Sequence, residues 1–259
     1  MKLASYADGS RDGHLVVVSR DLTQAHYATG IATRLQQVLD DWAFLAPQLE
    51  DLAVQLNQGK LRHAFAFEPA KCAAPLPRAY GWAVVAADGG VQRDAGHFLA
   101  PHHPLRAAAG CAPALTAIGG DLPAASSEAE ALDALRLLGF AAEWRVDGEL
   151  VAAHAAPLVV TPDELGGLGG AWQTGRLRAR LHLLHNGSKH EPLDVTVAPG
   201  EALARLARLR ALRAGQMAGI ALGAPDLTLA PGDSLLLDLK SPEGHGLFGA
   251  IDLEVGTAP

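Results

Sequence analysis

The chain has 259 residues, 49% of them hydrophobic, and carries a formal net charge of −7. That length and composition exclude a disordered or fibrous polypeptide and suit one large domain or two modest ones. The acidic balance leaves no cationic face for nucleic-acid phosphates, and no run approaches the roughly 20 apolar residues that span a bilayer. Cys72 and Cys111 are too few for a disulfide framework. With no charged segment leading into an apolar secretory core, the expectation is a cytoplasmic protein.

In chain order, residues 1–20 alternate turn signals with apolar runs. Asp8-Gly9 and Asp12-Gly13 precede the strand-like Leu15 to Val18. From Thr33 to Gly59, Leu35, Val38, Leu39, Trp42, Leu45, Leu49, Leu52 and Leu56 recur at helical spacing, and Pro47 is expected to break the run into two helices. Pro75 to Tyr80 read as a stiff connector, and residues from Asp88 to Pro123 as a long loop-rich stretch punctuated by Gly and Pro. Ser126 to Leu138 predict a helix with Ser127 as N-cap and Glu130 completing a capping box, ended by Gly139. Trp144 to Val151 predict a hairpin through Asp147-Gly148, and Arg176 to Leu184 a half-buried strand turning at Asn186-Gly187. Arg205, Arg208, Arg210 and Arg213 interleave with Leu203, Leu206, Leu209 and Leu212, which predicts the wet face of an amphipathic helix. Leu235–Leu239 and Ile251–Val255 predict a closing hairpin around Pro242, Gly244 and Gly246.

Motif chemistry is sparse. His97, His102 and His103, with Asp94 and Asp121 nearby, offer imidazole and carboxylate but fit no zinc spacing. His182, His185 and His190 surround the Asn186-Gly187 turn, where two of them can meet across a hairpin or serve as solvent-facing positions. Ser188 lacks a nucleophile elbow, and Gly166 to Gly170 lack the order and acidic partner of a dinucleotide site.

Several segments carry a resemblance. GDSLLLDLKSPEGHGLFGAIDLEV at 232–255, MKLASYADGSRDGHLVVVSRD at 1–21, CAAPLPRAY at 72–80, FLAP at 98–101, PLVVTPDELG at 157–166 and LRAGQMAGIALG at 212–223 are collinear with pieces of fumarylacetoacetate hydrolases. The chain resembles the bacterial two-domain members of that family. The resemblance implies an α+β fold with a small N-terminal α/β unit at residues 1–75, followed by an internally shortened mixed β-roll at 76–259. It also implies a place in aromatic catabolism, a dimer, and Mg²⁺ or Ca²⁺ held by carboxylates for cleavage of β-diketo acids.

The implied machinery is depleted. The family's two metal-binding glutamates stand one residue apart on a strand, a spacing that points both to one face. GFAAEW at 139–144 matches that stretch, with Glu143 as the second glutamate and Ala141 in place of the first. A third ligand, an aspartate in an Asn-Asp-Val-Ser-like strand followed by arginine, and the active-site lysine fall in a deleted segment. GWAVVAADGGVQRD at 81–94, where the family's catalytic histidine lies in a helix, contains no histidine, and Leu222 stands near a substrate-binding threonine. Glu128 and Glu130 share the one-apart spacing but lie in a predicted helix, where such residues diverge. The expectation is a non-catalytic structural or regulatory partner, paired with itself or with an active paralogue, that binds Glu143-linked metal only if activity persists. The alternative expectation is an altered metal-dependent hydrolase or decarboxylase of small oxo acids.

Overall fold

The computed structural model describes residues 1–94, 97–105, 109–223 and 227–256, the side chain of Asp94 excepted. The chain begins with β1 (Lys2–Tyr6), β2 (His14–Val18), β3 (Gln24–Tyr27), α1 (Leu35–Asp40), α2 (Trp42–Asn57) and β4 (Phe65–Ala66). It continues through β5 (Gly81–Val85), β6 (Val91–Asp94), β7 (Ala109–Gly119), α3 (Glu128–Ala134), β8 (Leu135–Val146), β9 (Glu149–Ala155) and β10 (Val159–Val160). Then come α4 (Pro162–Gly166), β11 (Trp172–Gln173), β12 (Arg176–His185), β13 (Ser188–Lys189), β14 (Leu193–Val197) and α5 (Pro199–Ala207). The last elements are β15 (Gln216–Ala221), β16 (Thr228–Leu229), β17 (Ser234–Lys240) and β18 (Ile251–Glu254).

Among the described residues the strands form two sheets, the larger of mixed direction through its parallel β5–β15 pair and the smaller antiparallel. The larger runs β4-β3-β2-β1-β10-β8-β7-β15-β5-β6, with β9 against β8 and β16 against β7. Strands before and after residue 75 share it, because Lys2 of β1 pairs with Val160 of β10 and Val160 with Leu138 of β8. The smaller sheet runs β11-β12-β17-β18 with β13 and β14 on β12. One face of the large sheet buries Leu115, Phe140 and Trp144 against Leu181, Leu237 and Phe248 of the smaller sheet and its loop. The opposite face buries Ala114, Ile118, Ala141 and Trp82 in a cluster shared with Leu35, Val38 and Leu49 of the first two helices. This is the α+β, mixed-sheet architecture expected.

Turn chemistry behaves as the residues dictate. Asp147 and Gly148 have φ of 49° and 85°, and Asn186 and Gly187 of 51° and 76°, the paired left-handed conformations that join twisted strands in two residues. Ser127 accepts from the Glu130 amide while the Glu130 side chain reaches back, a complete capping box. The closing hairpin pairs Leu235 with Leu253 and Leu237 with Ile251.

Four expectations need correction. The break in the first helical run falls at Asp41 (φ −131°), between α1 and α2, and Pro47 lies inside α2, forgoing one bond to the carbonyl four residues back. The helix predicted to Leu138 stops at Ala134, and Leu135–Gly139 pair with Gly119–Thr116 instead. A leucine-rich run satisfies either period, and the vacancy between β7 and β10 decides it. The stretch from Asp88 to Pro123 contains two strands; Pro113 fits in β7 because it lies one residue beyond the last β15 pair, Ala114↔Ala221, where a missing N–H is tolerated. The arginine-rich helix ends at Ala207, leaving Leu209 84% exposed.

These assignments separate two leucines sharply. Leu237→Ala, in the fully buried hairpin, is expected to cost about 2–5 kcal/mol of unfolding free energy, and Leu209→Ala less than about 0.5 kcal/mol. Urea titration of both variants checks this, and comparable losses would contradict the burial assigned to the closing hairpin.

Candidate functional site

Glu143 lies on β8 with its side chain 3% exposed, directly opposite Ala112 of β7 and Ala153 of β9. Opposed residues of an antiparallel pair share a face, as do residues two apart on one strand. Ala112, Ala114, Ala141 and Glu143 therefore form a two-by-two patch in which three of the four positions present only methyl groups.

Both oxygens of Glu143 are taken. The indole N–H of Trp82 donates a hydrogen bond to Oε1. Arg145 donates to Oε2 from Nε at 3.0 Å and Nη2 at 2.7 Å. The Arg145 fork is held from behind: Nη1 donates to the Gly148 carbonyl at 3.0 Å and, with the Gln92 amide oxygen turned toward it, to Gln92 at 2.6 Å. A carboxylate removed from water this thoroughly has to be paired, and Arg145 supplies the charge.

Trp82 reaches Glu143 across two intervening strands. It starts on β5, opposite Met217 of β15, and its ring crosses β15 over Gly219; a Cβ on Gly219 would meet Trp82 Cη2 at 2.5 Å. Phe98 packs edge-on against the indole at 5.2 Å and 88°. The region where the family resemblance implies a histidine-bearing helix is thus the β5–β6 hairpin, and its contribution to the site is an indole.

On the opposite face, Trp144 donates from Nε1 to Nδ1 of His154 at 2.6 Å, and Nε2 of His154 lies 2.8 Å from the His103 carbonyl. A ring accepting at Nδ1 and facing a carbonyl at Nε2 is neutral with its proton on Nε2. Burial pushes its pKa down to about 4, and the charge of His103 acts in the same direction.

The other histidines disperse. His97 is exposed and bridges to the backbone of Arg78, His102 Nδ1 contacts the Asp252 carbonyl at 3.0 Å, and Asp121 pairs with Arg213 at 3.2 Å. The side chain of Asp94 lies outside the described residues. His185 and His190 do approach, with ring centroids 6.5 Å apart, but His185 pairs with Asp233 at 3.0 Å. Hydrogen bonds from Asn186, the Ala230 amide and His185 hold Asp233 down to about 2, which makes this a turn lock. His182 lies opposite Asp238. Leu222 is buried, and Gly166–Gly170 form the end of α4 and a turn. Among the described residues no three His, Cys, Asp or Glu side chains come together in a way that suits a metal ion. Trp82, Arg145 and His154 are the residues that sequence reasoning missed. Only Arg145 had a readable signal, its two-residue spacing from Glu143 on a strand.

Two measurements follow from this geometry. Gly219→Ala is expected to cost about 1–3 kcal/mol through overpacking against Trp82, whereas Gly30→Ala, with open space around it, stays near neutral. Equal urea midpoints for the two would remove the close-approach argument. The depressed His154 pKa favours the neutral ring in the folded state, so its contribution is complete above the ordinary value of 6.5 and is lost as pH falls toward about 4. The limit is about 3 kcal/mol, and unfolding at about pH 7.5 and about pH 5 should show a loss that His154→Gln flattens.

Residues 1–78 match the family described as Fumarylacetoacetase N-terminal domain 2. No curated protein matches the chain. Among solved structures, maleylpyruvate hydrolase from Sphingobium sp. SYK-6 in complex with manganese (II) ion and pyruvate superposes with a TM-score of 0.71 at 17% identity, covering 99% of this chain and 100% of that one. Fumarylacetoacetate hydrolase from psychrophilic Exiguobacterium antarcticum gives 0.72 at 14% identity, covering 99% of each. A probable 2-hydroxyhepta-2,4-diene-1,7-dioate isomerase from Mycobacterium abscessus gives 0.69 at 14% identity, covering 99% of this chain and 98% of that one. Residues 1–78 are therefore similar to that N-terminal domain, and the chain as a whole carries the fumarylacetoacetate hydrolase fold.

Proposed function

We propose that this protein is a non-catalytic member of the fumarylacetoacetate hydrolase fold, acting as a structural or regulatory partner either as a homodimer or beside an active paralogue. The observation that carries the reading is the state of Glu143. Its oxygens are bound by Trp82 and Arg145, and alanines stand opposite and beside it.

Divalent ions of this chemistry need a shell of oxygens, six to eight for Ca²⁺ and an octahedron for Mg²⁺. The residues present do not fit that demand. If the paired glutamates of the family correspond to positions 141 and 143, one of the two is alanine. The β7–β8 register supports a second correspondence, in which the one-apart pair is Ala112 and Ala114 and Glu143 takes the place of the single aspartate on the neighbouring strand. On either correspondence one carboxylate remains where the family resemblance implies three.

Calorimetric titration of chelator-stripped protein with Mg²⁺, Ca²⁺ and Mn²⁺, paired with a turnover assay on acylpyruvates, tests the reading. The expected result is no saturable heat and no turnover above buffer. Saturable binding that disappears in Glu143→Gln, accompanied by turnover, would replace this reading with a metal-dependent hydrolase or decarboxylase of small β-diketo or oxo acids.

A further inference from the structure

We infer that the guanidinium of Arg145 occupies the seat of a dissociable cation at the Glu143 site, so that the chain carries the counter-charge of that carboxylate covalently. The inference rests on the non-catalytic reading above and deepens it, because it names what balances the charge at the site.

Three features support the substitution. The first is position: Arg145 follows Glu143 by two residues on β8, so both side chains leave the same face, and the fork closes on Oε2 from two nitrogens. The second is enclosure. The Arg145 side chain is 15% exposed, with the Gly148 carbonyl and the Gln92 amide oxygen on Nη1, so the cation sits in a set of oxygen acceptors drawn from three segments. The third is ligand demand. A planar, weakly hydrated organic cation pairs with a single carboxylate through its fork, whereas Mg²⁺ or Ca²⁺ needs several more oxygens than Ala112, Ala114 and Ala141 offer. Trp82 completes the arrangement by donating to the oxygen that Arg145 leaves, so each carboxylate oxygen carries a hydrogen-bond donor.

Chemical complementation tests this. Arg145→Ala removes the cation and leaves a guanidinium-sized space, and its melting temperature is expected to fall by several degrees. Methylguanidinium at about 20 mM, far below denaturing concentrations, is expected to restore more than half of that loss saturably, while the same concentration of NaCl or tetramethylammonium does not. In Arg145→Ala/Glu143→Gln the restoration should vanish. If methylguanidinium fails to stabilise the single variant, or stabilises both variants equally, there is no cation seat and the inference falls. Should Arg145→Ala not fold, Arg145→Lys and Arg145→Met decide, since they keep similar length and differ in charge. A clearly smaller loss for the lysine variant supports a cationic role, and equal losses overturn it. Saturable Mn²⁺ binding by the unmodified protein would defeat the non-catalytic reading as well. Failed complementation without Mn²⁺ binding defeats this inference alone.

Discussion

The most demanding feature of this molecule is one carboxylate buried in the middle of its largest sheet. An ionised Glu143 left unpaired there would be destabilising by several kcal/mol, since removing one partner of a buried pair leaves the other charge without water or counter-ion. The surrounding chain is arranged to prevent this. Trp82 comes from β5, Arg145 from β8 like Glu143 itself, and Gln92 from β6, so these four side chains tie the outer β5–β6 hairpin to β8 across β15 and β7. Such an arrangement is weak as a source of net stability and strong as a constraint on register, because each polar atom is satisfied only when the intervening strands are correctly aligned.

That alignment depends on small residues. Gly219 lets the indole cross β15, and Ala112, Ala114, Ala141 and Ala153 keep the ground beneath it flat. Ala112, Ala114 and Ala141 are also the positions where additional carboxylates would have to stand if the site held a divalent ion. Space for the indole and a shell of acidic oxygens are alternatives at this location, and the chain has the indole. The site's geometry is thus better explained by packing than by loss of residues alone: Trp82 and Phe98 fill volume as well as supplying one hydrogen bond.

Much of the fold is readable from residue types whose preferences are local. Asp147-Gly148, Asn186-Gly187 and the Ser127–Glu130 box act within a few residues, and the structure uses each as its chemistry dictates. Where the sequence misleads, a distant partner makes the choice. Leu135–Gly139 suit helix and strand alike, and they become strand because β7 lies open beside them. Pro113 reads as a loop signal until the extent of the β15 ladder is known. For the site, Glu143 can be picked out from its family-like setting and Arg145 from strand spacing. Trp82 cannot, because its role arises from a crossing of two strands and from Gly219, 137 residues further along the chain.

The framework's independence of any one site has a physical basis in where the cores lie. The two large apolar clusters occupy the two faces of the large sheet, and each is continuous with elements far from Glu143: the second sheet on one side and the paired N-terminal helices on the other. Burial on that scale outweighs any single electrostatic contact. Alanines at positions 112, 114 and 141 are therefore compatible with an intact framework, provided that the carboxylate beside them is neutralised. Arg145 meets that condition from within the strand itself. A cation attached to the chain is present at every stage of folding and independent of ion concentration, whereas a bound ion contributes only through its free concentration relative to its dissociation constant.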